Sequence, residues 1–384
     1  GPVSRCPLNP GTRVTLLPSG AAALDAIFAA IEGARSYLQL EYYEFEDVHW
    51  NGRSVVDLLV QRLGAGVRVA LCYDAAGSSY TAASVFERLQ RAGAVLLDFH
   101  PFNPFRKQFN PLRLNDRDHR KILLADGRLA IIGGVNLSLV YENPPSGGAP
   151  PDASKAFWYD CAACIEGPAV AAIQELFFRN WHHQGGATLS REGAFPPLEP
   201  LGTEIVRVDG SAPRQHRQLY FESLKSALHS ARRHVLLATG YFVPTFRQWQ
   251  LLAKAAERGV AIDLLLAGYS DIPSCVRAAR ALYGRLLERG VRIHEMNRGM
   301  MHAKVATIDG VWSAIGSSNL DRRSYLYNNE IDAIVFGRDT AGEIEAMLRG
   351  WIAQADTVTL AEWRNRSNAE RAGELLSRVW SRYM

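Results

Sequence analysis

The stretch HRKILLADGRLAIIGGVN at 119–136 returns as HAKVATIDGVWSAIGSSN at 302–319. The histidine, the lysine, the aspartate, a glycine and the asparagine recur at one offset of 183 residues (302 − 119), without a gap. Internal repetition of this kind indicates two copies of one structural unit in a single chain.

The sequence around the two copies has a similar organisation in both halves. Amphipathic segments that end at glycine predict helices, and short apolar runs predict strands. The clearest are the helices at 22–33 and 248–259 and the strands at 37–43 and 234–243. Helices that alternate with buried strands predict an α/β fold.

The chain is long enough for two domains. It has 384 residues, of which 47% are hydrophobic. We place the domains at 3–190 and 202–384, with a proline-containing linker at 190–202 between them. A Pro/Gly/Ser-rich stretch at 143–155 is predicted to be a surface loop, and the tail at 359–384 a helical, amphipathic segment that packs on the core.

Each copy of the repeat predicts a β-hairpin closed by an Asp-Gly turn. If Asp126 and Gly127 are the two turn residues, facing positions add up to 253 (125 + 128), and His119 faces a glycine. His119 and Lys121 are two residues apart and project from one face of the strand, on the same side as Asn136. In the second copy the same geometry brings together His302, Lys304, Ser317 and Asn319.

The aspartates of the repeat belong to the turns. Asp126 lies seven residues from His119. That separation is about 23 Å along an extended strand, too far to orient an imidazole. We therefore predict structural roles for Asp126 and Asp309. Acidic and histidine side chains with divalent-ligand spacing do not accompany the repeat, so we predict neither a metal nor a cofactor.

The two lysines suggest what the site binds. A single buried histidine is commonly structural, but here histidine, lysine and asparagine recur together. Two buried ammonium groups need an anion. A phosphodiester between Lys121 and Lys304 fits, with Asn136, Asn319 and Ser317 as hydrogen-bonding partners. One imidazole can attack such a phosphorus atom while a second protonates the leaving oxygen.

Composition narrows the class of protein further. The formal charge of +4 suits a phosphate-bearing partner without demanding one. Five cysteines do not indicate a disulfide framework, and they favour a reducing compartment. Cys161 and Cys164 are three residues apart on a predicted strand and so point to opposite faces, which disfavours a metal or redox role. The apolar runs are too short to cross a bilayer.

The duplicated pattern H-x-K-x4-D-x6-G-[GS]-x-N resembles the phospholipase D superfamily over nearly the whole chain. Within it the chain is most similar to bacterial cardiolipin synthases of the short type, without N-terminal membrane helices. Supporting stretches are Tyr42–Asp47, Trp158–Asp160, Ile165–Val170, Tyr241–Pro244 and Asn329-Glu330.

This resemblance implies an architecture and a mechanism. The fold would be two α/β/α lobes related by pseudo-twofold symmetry, with one active site at their junction and a covalent phosphohistidine intermediate. His119 would be the nucleophile and His302 the general acid and base. Each imidazole would pair with an acid of the other lobe, Asp160 with His302 and Glu330 with His119.

The implied reaction transfers a phosphatidyl group to phosphatidylglycerol and makes cardiolipin. The expected partners are phosphatidylglycerol and an anionic membrane surface. The expected location is peripheral, on the cytoplasmic side of the bacterial inner membrane. Three alternatives stay open: a hydrolytic phospholipase D, a phosphodiesterase or nuclease of the same superfamily, and a non-catalytic lipid-binding scaffold. Nucleic acid is the less favoured partner.

The segment 101–120, which we call the aromatic-basic segment, supports a lipid surface. It interleaves apolar with basic side chains immediately before the repeat, a composition suited to lipid headgroups or to stacked bases. An ordinary loop with packed aromatic side chains is the alternative. Its residues of interest are Phe102, Phe105, Phe109, Leu112, Arg106, Lys107, Arg113, Arg117 and Arg120.

Overall fold

A computed structural model describes residues 6–105, 109–144, 152–213 and 219–367, together with 373 and 377. Most of the predicted tail beyond 367, the centre of the 143–155 loop, and Arg106 and Lys107 of the aromatic-basic segment lie outside the described residues.

The first half contains a mixed series of strands and helices in chain order. They are β1 (Asn9–Leu17), α1 (Gly20–Gly33), β2 (Tyr37–Tyr42), β3 (His49–Trp50), β4 (Arg53–Ser54), α2 (Val55–Gly64), β5 (Arg68–Asp74), α3 (Ala83–Arg91), β6 (Val95–Phe99), β7 (Arg117–Asp118), β8 (Lys121–Ala125), β9 (Leu129–Gly133), β10 (Trp158–Tyr159), β11 (Ala162–Glu166) and α4 (Ala169–His183).

The second half repeats this series after a stretch without helix or strand at 184–203. Its elements are β12 (Glu204–Ser211), α5 (Leu219–Ser230), β13 (His234–Thr239), α6 (Phe246–Glu257), β14 (Ala261–Ala267), α7 (Pro273–Leu287), β15 (Arg292–Met296), β16 (Met300–Met301), β17 (Lys304–Ile308), β18 (Trp312–Gly316), α8 (Arg322–Leu326), β19 (Asn328–Phe336), α9 (Arg338–Ile352), β20 (Asp356–Val358) and α10 (Leu360–Arg364).

The two halves share one continuous sheet. From its centre outwards the first half runs β1-β11-β9-β8-β2-β5-β6, and the second half runs β12-β19-β18-β17-β13-β14-β15 in the equivalent order. β1 and β12 pair antiparallel at the centre. The predicted α/β architecture, with two equivalent halves, is confirmed.

Helices cover both faces of this sheet. On one face, each half packs its own helices, α1 and α2 in the first and α5, α6 and α7 in the second. On the other face, α4 and α9 share one apolar core with strands of both halves, including Ile122, Phe177, Ala303 and Ile331. Because this core belongs to both halves, it fixes their relative position.

The register of the two hairpins differs by one residue from the predicted one. Ala125 pairs with Leu129, so facing positions add up to 254 (125 + 129) and the turn holds three residues. Asp126 explains the difference. Its carboxylate accepts the backbone N–H groups of 35–37 at 2.7 to 3.0 Å and holds the residue at a φ of 52°, outside the ladder. The second hairpin shows the same shift.

The structure also describes the two neighbouring cysteines and the stretch predicted to be a linker. Cys161 and Cys164 point to opposite faces of the sheet, into different apolar cores, and both are free thiols. The stretch 190–202 has neither helix nor strand. Within the described ranges, no helix is long and apolar enough to cross a membrane.

Candidate active site

Both histidines of the repeat line one cavity of about 590 Å³ between the two halves. Asn136 and Asn319 line it as well. The structure therefore brings the predicted residues of both copies to a single site. Lys121 and Lys304 lie beneath it, almost completely buried.

Two short crossings between the halves hold the histidines in place. Just before His119, β7 leaves its own half and pairs in parallel with the start of β19. Just before His302, β16 pairs in the same way with β10. The His119 N–H then donates to the Asn329 carbonyl at 3.0 Å, and the His302 N–H to the Tyr159 carbonyl at 2.9 Å. Each histidine thus meets the residue that precedes the acid of the other half.

The His119 ring is held by two acceptors of the second half. Its Nδ1 lies 3.0 Å from the Ser317 carbonyl oxygen and 3.1 Å from Glu330 Oε2. A carbonyl oxygen only accepts, so the proton of the neutral ring lies on Nδ1 and the lone pair on Nε2. The Ser317 hydroxyl donates to the same carboxylate. Ser317 was predicted opposite His302 as a phosphate ligand; the structure instead places it behind His119.

The His302 ring is held by the first half. Its Nδ1 lies 2.7 Å from Asp160 Oδ2, which also accepts the Tyr141 hydroxyl at 2.7 Å. The Tyr141 oxygen is 3.3 Å from the same ring nitrogen. Gly134 makes this arrangement possible, because a Cβ at that position would lie 2.0 Å from Asp160 Oδ1.

The electrostatics of the site follow from burial next to charged neighbours. Burial, together with the adjacent lysines, lowers the pKa of both imidazoles, and that of His302 falls to about 3. Burial alone would raise the pKa of Asp160 and Glu330, yet their histidine partners hold it below the usual range. Both acids are therefore ionised at neutral pH, beside neutral imidazoles.

The lysines form a buried, like-charged pair. Lys121 Nζ donates to the His119 carbonyl at 2.6 Å, and Lys304 Nζ donates to the His302 carbonyl. Burial and the charge of Lys304 lower the pKa of Lys121 to about 7, and burial lowers the pKa of Lys304. An anion in the cavity would offset both the burial of the two ammonium groups and the repulsion between them, and so favour their charged forms.

Each asparagine has its side-chain amide oxygen held by a backbone N–H group. Asn136 Oδ1 accepts the Glu44 N–H at 3.4 Å, and Asn319 Oδ1 accepts the Tyr241 N–H at 3.2 Å. The amide nitrogen of each is the group left to donate to a substrate. Asp126 and Asp309 are at the hairpin turns, each bound to three backbone N–H groups of its own half.

Several side chains at the site were not predicted as site residues. Tyr141 follows the first repeat without a periodic pattern to mark it. Trp158 packs on His302 with ring centroids 4.8 Å apart, and Tyr43 packs on His119 at 5.4 Å. The aromatic-dense strand ends in which Tyr43 and Trp158 occur were the available signal. In the described ranges, no group of three or more His, Cys, Asp or Glu side chains could hold a metal ion.

The aromatic-basic segment differs from its prediction. Arg117 and Arg120 are buried in ion pairs with Asp74 and Glu41, at 3.2 and 3.1 Å. They do not form part of a basic surface, because their charges are used inside the protein. Of its apolar side chains, Phe102, Phe105 and Leu112 are exposed and Phe109 is partly buried.

The chain matches known proteins over its second half and over its full length. Residues 224–351 match the family described as Cardiolipin synthase, PLD-like domain. Cardiolipin synthase A of Pseudomonas putida is 32% identical over 385 residues, which cover 99% of this chain and 76% of that protein. The chain belongs to the cardiolipin synthase family. A cardiolipin synthase of Geobacillus kaustophilus is 30% identical, over 99% of this chain and 74% of that protein.

Two solved structures are similar in fold to this cardiolipin synthase family member. Phosphatidylserine synthase of Haemophilus influenzae Rd KW20 aligns with 100% of this chain and 96% of its own, at a TM-score of 0.72 and 11% identity. Polyphosphate kinase of Porphyromonas gingivalis aligns over 97% of this chain and 53% of its own, at a TM-score of 0.58 and 14% identity. At these identities the likeness is one of fold.

Proposed function

We propose that the protein is a phosphatidyltransferase that joins two phosphatidylglycerol molecules into cardiolipin and releases glycerol. One observation carries the proposal. Two histidines line a single cavity, and each has its Nδ1 held by an acid of the other half, so that each has Nε2 left for a substrate. Membership in the cardiolipin synthase family supports the choice of substrate.

In the first step His119 is the nucleophile. Its Nε2 attacks the phosphorus of the donor lipid, a P–N bond forms, and the P–O bond to the glycerol headgroup breaks. His302 gives its Nε2 proton to the departing oxygen. Burial and Lys304 lower its pKa. The negative charge of the bound phosphodiester offsets that lysine and raises the pKa again.

In the second step the acceptor occupies the place of the leaving glycerol. Its hydroxyl gives its proton to His302 Nε2, the oxygen attacks phosphorus, and the P–N bond to His119 breaks. Lys121 and Lys304 stabilise the charge on the phosphoryl oxygens, and the amides of Asn136 and Asn319 donate to them.

Formation of the adduct tests the assignment of the two histidines. Labelled phosphatidylglycerol vesicles should yield cardiolipin and glycerol with the intact protein. The His302→Ala variant should still form a phosphatidyl adduct on His119, slowly, whereas His119→Ala should form none. Trapping must be at neutral or alkaline pH, because phosphohistidine is labile in acid. An adduct on His302 would reverse the roles, and phosphatidic acid as the sole product would indicate hydrolysis instead of transfer.

We also infer that the protein acts peripherally at an anionic membrane, on the cytoplasmic side of the inner membrane. Phe105 and Leu112 are exposed, and Phe102 of the same segment lines the cavity, so these side chains can enter the lipid boundary beside the site. Five free thiols suit a reducing compartment. A Phe105→Ser, Leu112→Ser variant should sediment less with phosphatidylglycerol vesicles yet keep its turnover of a soluble short-chain substrate. Equal losses in both assays would contradict this placement.

A further inference from the structure

The wall of the cavity carries charges of both signs. Its cations are Arg117 and Arg323, and its acids are Glu44, Asp271 and Asp321. Cations in a cavity that binds a phosphodiester attract the negatively charged phosphate. Glu44 and Asp271 both act electrostatically on Tyr241, take no part in the mechanism above and need another explanation.

Glu44 occupies a position where the internal repeat has diverged. Its backbone N–H donates to Asn136, as the N–H of Tyr241 donates to Asn319 in the second half. The two residues are therefore equivalent, and one copy carries an acid where the other carries a tyrosine. Burial raises the pKa of Glu44, against the opposing charge of Lys121.

Tyr241 and Asp271 line the same cavity as Glu44. The Tyr241 ring lies 6.1 Å from the His302 ring, centroid to centroid. Its hydroxyl donates to the two oxygens of Asp271 at 2.9 and 3.0 Å. Tyr241 therefore links the carboxylate of Asp271 to the histidine that exchanges a proton with the leaving and entering alcohols.

A carboxylate only accepts hydrogen bonds, so beside an anionic phosphodiester it needs donors from the substrate. We propose that Glu44, supported by Asp271 and Tyr241, forms a subsite for the hydroxyl groups of a polyol headgroup. The inference rests on the proposed function. The leaving glycerol and the headgroup of the acceptor lipid must both reach His302, so one subsite serves both and determines the preference for a polyol over other alcohols.

Headgroup exchange tests this subsite. The protein is incubated with phosphatidylglycerol vesicles and increasing labelled glycerol, 1-propanol or ethanolamine, and the phosphatidyl products are quantified beside phosphatidic acid. The intact protein should prefer glycerol to 1-propanol, which lacks the further hydroxyl groups. Glu44→Gln should reduce that preference roughly tenfold, the effect of losing one hydrogen bond to a charged group.

Glu46→Gln is the matched control, since Glu46 accepts the Leu139 N–H and is not among the residues that line the cavity. It should keep the preference of the intact protein. Unchanged selectivity in Glu44→Gln would overturn the subsite, and so would a preference for ethanolamine that Glu44→Gln abolishes, because the acid would then bind an ammonium group. Absence of every phosphatidyl product in the intact protein would refute the proposed function instead.

Discussion

The two histidine–acid pairs should respond unequally to the same change, the replacement of the carboxylate by an amide. His119 Nδ1 has two acceptors, the Ser317 carbonyl at 3.0 Å and Glu330 at 3.1 Å. His302 Nδ1 depends on Asp160 at 2.7 Å, because the nearby Tyr141 hydroxyl gives its proton to that same carboxylate. Asp160→Asn should therefore cost more activity than Glu330→Gln.

The expected loss of activity in each variant follows from the interactions that its histidine retains. In Glu330→Gln the Ser317 carbonyl still holds the His119 tautomer, and the loss is one charge-assisted hydrogen bond, about 1.5–3 kcal/mol or roughly 10- to 150-fold in rate. In Asp160→Asn the imidazolium of His302 loses its buried counter-charge, and an amide nitrogen can face Nδ1 and favour the wrong tautomer. General acid and base catalysis is worth typically ~10²–10⁴-fold, and we expect a loss of about 10³-fold or more.

Rapid quenching with labelled phosphatidylglycerol separates the two steps. In Glu330→Gln the adduct should form slowly and not accumulate, because the impaired group is the nucleophile. In Asp160→Asn both steps should slow, and turnover should remain far below that of Glu330→Gln. Equal losses in the two variants, or a larger loss in Glu330→Gln, would show that the Ser317 carbonyl does not orient His119.

Three further outcomes can be measured. Because burial and Lys304 lower the pKa of Lys121 to about 7, its charge is lost as pH rises past 7. The value of kcat/KM should fall there, and Lys121→Arg, which stays charged, should abolish that fall. Gly134→Ala should inactivate the site and destabilise the fold by about 1–3 kcal/mol, whereas Gly342→Ala, in α9 with open space around it, should be neutral or stabilising in thermal unfolding. Arg120→Ala removes the buried ion-pair partner of Glu41 and should cost about 3–5 kcal/mol in denaturant unfolding.

The internal repeat and the hydrophobic periodicity of the sequence were enough to predict the main secondary-structure elements. The α/β series and the two hairpins follow from spacing, because strand and helix periods are local properties of the chain. The convergence of His119 and His302 was implied by the family resemblance. The hairpin register was wrong by one residue. Its turn is set by contacts of Asp126 with the loop at 35–37, which is remote in sequence.

Features that depend on contacts between residues remote in the sequence could not be predicted from local sequence patterns. β7 and β10 are two residues long, too short for any periodic pattern. Arg117 and Arg120 look like surface cations in sequence, yet acids from other strands neutralise them in the interior. Tyr141 also carried no sequence signal, because its hydroxyl partner Asp160 is nineteen residues away in the chain.

The exchange of acids between the halves has a consequence for how two equal copies can do unequal work. A symmetric dimer of identical chains would surround both histidines with identical partners, and neither could specialise without the other. A single chain that carries both copies is free of that constraint. Here one imidazole has aspartate and tyrosine, and the other has glutamate and a serine carbonyl. Covalent fusion thus permits a division of labour that symmetry would forbid.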